Sequence, residues 1–279
     1  MILAIDMGNT NIEIGCLDDE KVYFTERVST DKTKTELEYA VLLKTIIELH
    51  GVQGKSIEGA IISSVVPPLT KILRLAVKKV TDCDAFVVGA GVKTGLDIRV
   101  DNPAQVGADL IVAAVAAAEE YGYPCIVIDM GTATTIEVLD RRGYYIGGTI
   151  IPGTNASLDS LVSKASQLPA IPLEAPKRVI GKNTVDCMQS GIVYGQACML
   201  DGMLDRFVEE LGYECKVVAT GGLSGAIIPH CRRDIIIDPL LMLKGLKIIY
   251  DKNREPDPTR SRETARARDR HSNNGSGQM

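Results

Sequence analysis

Ile5-Asp6-Met7-Gly8-Asn9-Thr10-Asn11 and Ile128-Asp129-Met130-Gly131-Thr132-Ala133-Thr134 decide the fold, because they are two copies of one pattern in a single chain. Each follows an apolar stretch, Met1 to Ala4 in the first copy and Cys125 to Val127 in the second. Ile12-Glu13 realigns with Ile136-Glu137 if the second copy carries one extra residue. Both copies then continue through strand-like segments, 12–17 and 22–28 in the first, 135–139 and 144–151 in the second. Asp18-Asp19-Glu20 and Asp140-Arg141-Arg142-Gly143 supply the turns between them. Each copy therefore predicts a three-stranded meander with an Asp-x-Gly corner, and a repeat of this length marks a duplicated unit.

Helical and strand patterns alternate after each meander. Residues 35–50 have apolar residues at helical spacing, 57–66 read as a buried strand, Pro67-Pro68 opens a second helix to about Val80, and 85–88 make another short strand. An Ala-rich helix is expected over 104–121. The second half has a long helix over 184–211, a strand over 216–219 that ends in Thr220-Gly221-Gly222, a strand over 234–237, and a last helix near 239–250. The pattern implies an α/β fold of two similar halves, residues 1–121 and 122–253, facing one another across a cleft. Residues 254–279 contain six Arg, four acids and no large apolar residue before Met279, so a disordered, solvated tail is expected there.

Composition narrows the function. With 45% hydrophobic and 24% charged residues over 279 positions the chain reads as globular, and a formal charge of -5 offers no basic stripe to nucleic acid. No Trp and three Phe leave an aliphatic core and no base-stacking platform. No signal peptide or membrane-length apolar run is read, and seven Cys with no Cys-x-x-Cys pair suggest free thiols in the cytoplasm.

The chemistry is expected at the corners. A carboxylate at a strand end beside an amide-rich turn can hold a hydrated cation and phosphate oxygens. One such corner would read as an ordinary hairpin turn; two, facing each other, form a clamp for nucleotide phosphates. Gly221-Gly222 would let backbone approach a flat ligand such as adenosine. Asp109, in the first turn of the Ala-rich helix after Gly107-Ala108, is either an acid that suits the helix dipole or a general base for a substrate hydroxyl. Rival motifs fail on spacing: Gly51 to Ser56 has two residues between its glycines where a Walker loop needs four, and Gly89-Ala90-Gly91 lacks the third glycine of a dinucleotide fingerprint.

These segments resemble the actin, Hsp70 and sugar kinase superfamily, and in detail the type III pantothenate kinases. The matching stretches are Asp6 to Asn11, Ser63-Ser64-Val65-Val66-Pro67, Asn102-Pro103 with Gly107-Ala108-Asp109, Asp129 to Thr134, Gly147-Gly148 with Pro152-Gly153, Asn183-Thr184 and Thr220-Gly221-Gly222. The resemblance implies actin-like, ribonuclease H-like halves with mixed five-stranded sheets and an ATP cleft between them. It implies ATP-dependent phosphorylation of pantothenate, the first step of coenzyme A synthesis, by a cytoplasmic homodimer. Carried over residue by residue, Asp6, Met7, Gly8, Asn9, Thr10, Asn11, Ile12, Glu13 and Thr132 would bind ATP, with Asp6 near Mg²⁺. Asp129 would hold K⁺ or ammonium. Gly107, Ala108, Asp109, Leu110 and Thr184 would contact pantothenate, with Asp109 accepting the proton of its primary hydroxyl.

Two positions leave the family pattern. Where the family usually has Arg after Gly-Ala-Asp and Tyr before Asn-Pro, this chain has Leu110 and Val100. Those residues favour a second reading, a related kinase acting on another small hydroxyl substrate. A third is a non-catalytic nucleotide-binding regulator, against which the retained Asp109 counts.

Overall fold

Strand order in the two sheets of the computed structural model, which describes residues 1–254, reproduces the sequence repeat. Along the chain run β1 (Ile2–Met7), β2 (Asn11–Leu17), β3 (Val22–Ser29), α1 (Glu36–Leu49), β4 (Gly59–Ser64), α2 (Pro67–Thr81), β5 (Ala85–Val87), β6 (Asp97–Ile98) and α3 (Ala108–Tyr121). There follow β7 (Cys125–Met130), β8 (Ala133–Leu139), β9 (Tyr144–Pro152), α4 (Thr154–Lys164), α5 (Thr184–Leu211), β10 (Lys216–Thr220), α6 (Ser224–Ile227), β11 (Ile236–Ile237) and α7 (Leu241–Asn253). The first sheet is ordered β3-β2-β1-β4-β5, and β9-β8-β7-β10-β11 repeats that order in the second. In both, the first three strands pair antiparallel and the last three parallel.

Local chemistry sets the ends of the helices. Thr35 caps α1 in a reciprocal box with Glu38, Pro67 occupies the first turn of α2, and Asn183 caps α5, accepting from the Asp186 N–H at 2.9 Å. Gly212 closes α5 at φ 71°.

Several details differ from expectation. The second sheet has a sixth strand, β6, pairing parallel with the outer edge of β9; two residues are too few to show a period in sequence. The Ala-rich helix begins at Ala108 rather than 104, because Pro103–Gln105 forms a separate 3-10 turn and Gly107 is the cap. The strand expected over 234–237 is reduced to Ile236–Ile237. Helix α4 had no strong signal, since of its eleven residues only Thr154 and Leu158 are buried. The repeat alignment also changes. Asp6 pairs with Glu13 across β1 and β2, but Asp129 pairs with Thr135 across β7 and β8, so the second corner is one residue shorter, not longer. Glu137 lies opposite Val127 and is not the counterpart of Glu13. The expected tail, apart from Arg254, lies outside the described residues.

The core is aliphatic, as the composition requires. One cluster fills the first half against α1 and α2, and another fills the second half against α5. A third joins the halves: Ala4 and Ile61 of the first sheet and Val127 and Val218 of the second enclose Val112 to Ala117 of α3 and Leu241 to Ile249 of α7. Helix α7, late in sequence, packs on β1 and β4, while α3 packs on β7. Lys247 of α7 pairs with Asp19 in the β2–β3 turn at 2.5 Å and with Asp251. These two helices fix the spacing between the corners.

Candidate active site

Asp6 and Asp129 stand near the C-terminal ends of the central strands β1 and β7, and the turns after them meet. Thr10 Oγ1 lies 2.8 Å from Thr132 Oγ1, a direct bond between the two corners. Each turn is closed by its glycine amide, Gly8 N–H donating to Asn11 O at 2.9 Å and Gly131 N–H to Ala133 O at 3.0 Å. The Thr30 hydroxyl donates to Gly8 O at 2.7 Å, tying β3 to the first corner.

Between the corners is a cavity of about 310 Å³. Asp6, Gly8, Asn9, Asn11, Glu13, Asp109, Asp129 and Thr132 line it, so the structure gathers most of the expected phosphate-side residues. Met7 and Ile12 are buried in the core and are not among the residues that line the cavity. Asp109 enters from the first turn of α3, where its Oδ1 accepts from the Leu110 N–H at 2.9 Å. A Cβ on Gly107 would collide with that carboxylate oxygen, which explains the glycine before it. Gly221, at φ 89°, passes so close to the second corner that a Cβ there would lie 2.5 Å from Asp129 Oδ1.

A second cavity of about 340 Å³ adjoins the first, and Thr135 lines both. Leu110 and Val100, the two departures from the family pattern, line this cavity together with Glu137, Tyr145 and Gly147. Thr184 is not brought to either. It lies at the start of α5 in a separate groove of about 760 Å³, with Leu168, Met188 and Ile192.

Sequence reading missed three residues here. Arg27 on β3 lines the first cavity, and among the described residues it makes no ion pair within 4.0 Å. Only the topology, which swings the β3 edge toward Gly222, could reveal it. Thr135 and Glu137 were visible as part of the repeat, but the wrong alignment hid their place.

The cavity is electrostatically unfinished. Burial pushes the Asp6 carboxyl up to about 8, with Asp109, Asp129 and Glu13 adding to the effect and the Ser63 side chain opposing it. Burial likewise raises Asp129 to about 7, reinforced by Asp109 and Glu13 and opposed by Arg27. Glu13 and Asp109 are raised too, first by burial, with Arg27 opposing the shift in Glu13 and the Leu110 N–H opposing it in Asp109. Such a set of acids suits added positive charge. Among the described residues no three His, Cys, Asp or Glu converge to hold a metal ion unaided, so a cation here would draw its other ligands from phosphate and water, as Mg²⁺ commonly does.

Stability should carry the mark of this strain. A carboxyl raised in the folded state binds its proton there at pH values where the unfolded chain has released it, so stability falls as pH rises. For Asp6 and Asp129 the contribution is complete below the ordinary value of 3.8 and is lost as pH climbs toward and through about 7 and 8. In cation-free buffer the melting temperature is therefore expected to fall between about pH 5 and 8, and Mg²⁺ with K⁺ to flatten the fall. A cation-free melting temperature that rises across that range would contradict the assignment.

Comparison with known proteins gives a consistent picture. The family model for type III pantothenate kinase matches residues 2–206. The type III pantothenate kinase of Moorella thermoacetica is 45% identical over 253 residues, covering 91% of this chain and 100% of the relative. That of Halalkalibacterium halodurans is 46% identical with the same coverage. Among solved structures, component A of (R)-2-hydroxyglutaryl-CoA dehydratase from Acidaminococcus fermentans shares the fold at a TM-score of 0.53 and 16% identity, over 89% of this chain and 96% of that one.

Proposed function

The chain belongs to the type III pantothenate kinase family and is a phosphotransferase that phosphorylates pantothenate for coenzyme A synthesis, and from that premise we propose how its two cavities divide the reaction. ATP phosphates occupy the cavity between the corners, and pantothenate occupies the one beside it. The observation that carries this reading is the seam at the start of α3, where Asp109 lines the first cavity and Leu110 the second. A hydroxyl entering from the acceptor side meets Asp109 as it meets the terminal phosphate.

In the step itself the primary hydroxyl oxygen forms a bond to the γ-phosphorus while the bond from that phosphorus to the β–γ bridging oxygen breaks. The hydroxyl proton passes to Asp109, and ADP leaves with the bridging oxygen. The turn amides and the Thr10 and Thr132 hydroxyls position the phosphates, and Arg27 adds a guanidinium suited to paired bonds with phosphate oxygens. Asp6 would hold Mg²⁺ and Asp129 K⁺ or ammonium, which when bound neutralise phosphate charge.

The reading extends to a cytoplasmic homodimer that uses neither nucleic acid nor membrane. Among the described residues no helix is long and apolar enough to cross a membrane. Val179, Ile180 and Val185 are exposed around the groove that holds Thr184, which supports a dimer contact there. Thr184 would then reach pantothenate across that contact, since it stands outside its own chain's acceptor cavity.

Leu110 and Val100 should weaken acceptor binding. Pantothenate carries a carboxylate, and Arg offers it paired charge-assisted hydrogen bonds that Leu cannot. Loss of one partner of a desolvated charge contact costs about 2 to 5 kcal/mol. A high pantothenate KM with ordinary ATP binding is expected, and Leu110→Arg with Val100→Tyr should lower it by at least about tenfold. Steady-state kinetics on both proteins test this; a low KM in the unmodified enzyme, or no gain in the double variant, would remove the carboxylate from that wall.

A further inference from the structure

Glu137 is 2% exposed, yet it lines the acceptor cavity. It follows Thr135 by two residues on β8, so the two side chains share one face, about 7 Å apart along the strand. Thr135 donates to Glu137 Oε1 at 2.7 Å, while Oε2 is buried and has no hydrogen-bond partner. Gly148 is the residue opposite Glu137 on β9, so no side chain from that position covers the free oxygen. A buried polar atom without a partner is costly, and because Glu137 lines the cavity, a small turn of its carboxyl would bring that oxygen to a ligand able to supply the partner.

We propose that Glu137 is a specificity-determining residue whose free carboxyl oxygen hydrogen-bonds the secondary hydroxyl of pantothenate. The inference rests on assigning this cavity to pantothenate. With the primary hydroxyl held at Asp109, the next polar group along the acceptor is the secondary hydroxyl, two carbons on, and the polar side chain that follows Thr135 on the same face of β8 is Glu137. Burial pushes the Glu137 carboxyl upward, against the Thr135 hydrogen bond, and so favours the neutral acid; with Oε1 engaged as acceptor, Oε2 is the oxygen left to meet the ligand hydroxyl. A neutral acid also avoids repelling the carboxylate at the far end of the substrate.

The test compares Glu137→Gln and Glu137→Met with the full-length wild type, using pantothenate, its analogue lacking the secondary hydroxyl, and pantothenyl alcohol, which lacks only the carboxylate. Gln keeps an acceptor for Thr135 and a donor for the ligand, so its pantothenate KM should stay within about threefold of wild type. Met, of similar volume, should raise that KM by roughly 10- to 100-fold, with the ATP KM and melting temperature little changed. The deoxy analogue should suffer a similar penalty in wild type and no further one in Glu137→Met. Pantothenyl alcohol should show the same Met effect as pantothenate. An unchanged pantothenate KM in Glu137→Met overturns the proposal, as does a Met effect that vanishes with pantothenyl alcohol. If the Met variant does not fold, full-strength use of the deoxy analogue by wild type overturns it, and the penalty on that analogue upholds it. Failure of the cavity assignment would show differently, as acceptor KM values indifferent to Leu110→Arg, Val100→Tyr and every Glu137 variant alike.

Discussion

Asp109→Asn should lower kcat for pantothenate by about 10² to 10⁴-fold while leaving ATP binding within a few-fold of wild type. The carboxylate is held by the first turn of α3 with one oxygen on the Leu110 N–H, and burial raises its affinity for protons above that of an ordinary aspartate. Asn keeps the shape and the bond to the helix but cannot take a proton. Stopped assays under saturating substrates, with ATP affinity measured separately by calorimetry, give the comparison. An Asn variant with kcat near that of wild type would reduce Asp109 to an acid that merely suits the helix start, or would show a transition state loose enough to need no base.

Asp6→Asn and Asp129→Asn should each bring turnover below a tenth of wild type, because a lost cation contact costs several kcal/mol of transition-state stabilisation. The same variants should not lower the melting temperature in cation-free buffer at pH 8. Each replaces a buried acid, raised to about 8 at Asp6 and about 7 at Asp129, by a neutral group of the same shape. Exchanging K⁺ and ammonium for Na⁺ should depress the wild type and leave little further to lose in the Asp129 variant. Loss of activity accompanied by a large drop in melting temperature would point to packing, and the clamp reading would fall.

Much of this architecture was legible in the residues. The two Asp-x-Gly corners gave the duplication, and the patterns after them placed α1, α2, α5 and the parallel strands within a few residues of their observed bounds. What escaped was set by pairing rather than by pattern. β6 has two residues and exists only because β9 lies alongside, and β11, expected over 234–237, keeps only the two residues that pair with β10. The shorter second corner is invisible in an alignment that rewards the Ile-Glu match, yet it separates Glu13 beside Asp6 from Glu137 in the second cavity. Arg27 belongs to an alternating edge strand with no motif, and only the approach of Gly222 reveals its position. Thr184 shows the opposite failure: its helix was read correctly, but within one chain it does not meet Asp109.

Phosphorus NMR of the wild-type enzyme with MgATP, K⁺ and pantothenate tests the central claim most directly. The account predicts that the γ-phosphate signal of ATP is replaced one for one by a phosphomonoester signal on pantothenate, together with ADP, and that Asp109→Asn suppresses both. Release of inorganic phosphate without the monoester, or no consumption of ATP when pantothenate is the acceptor, would contradict it.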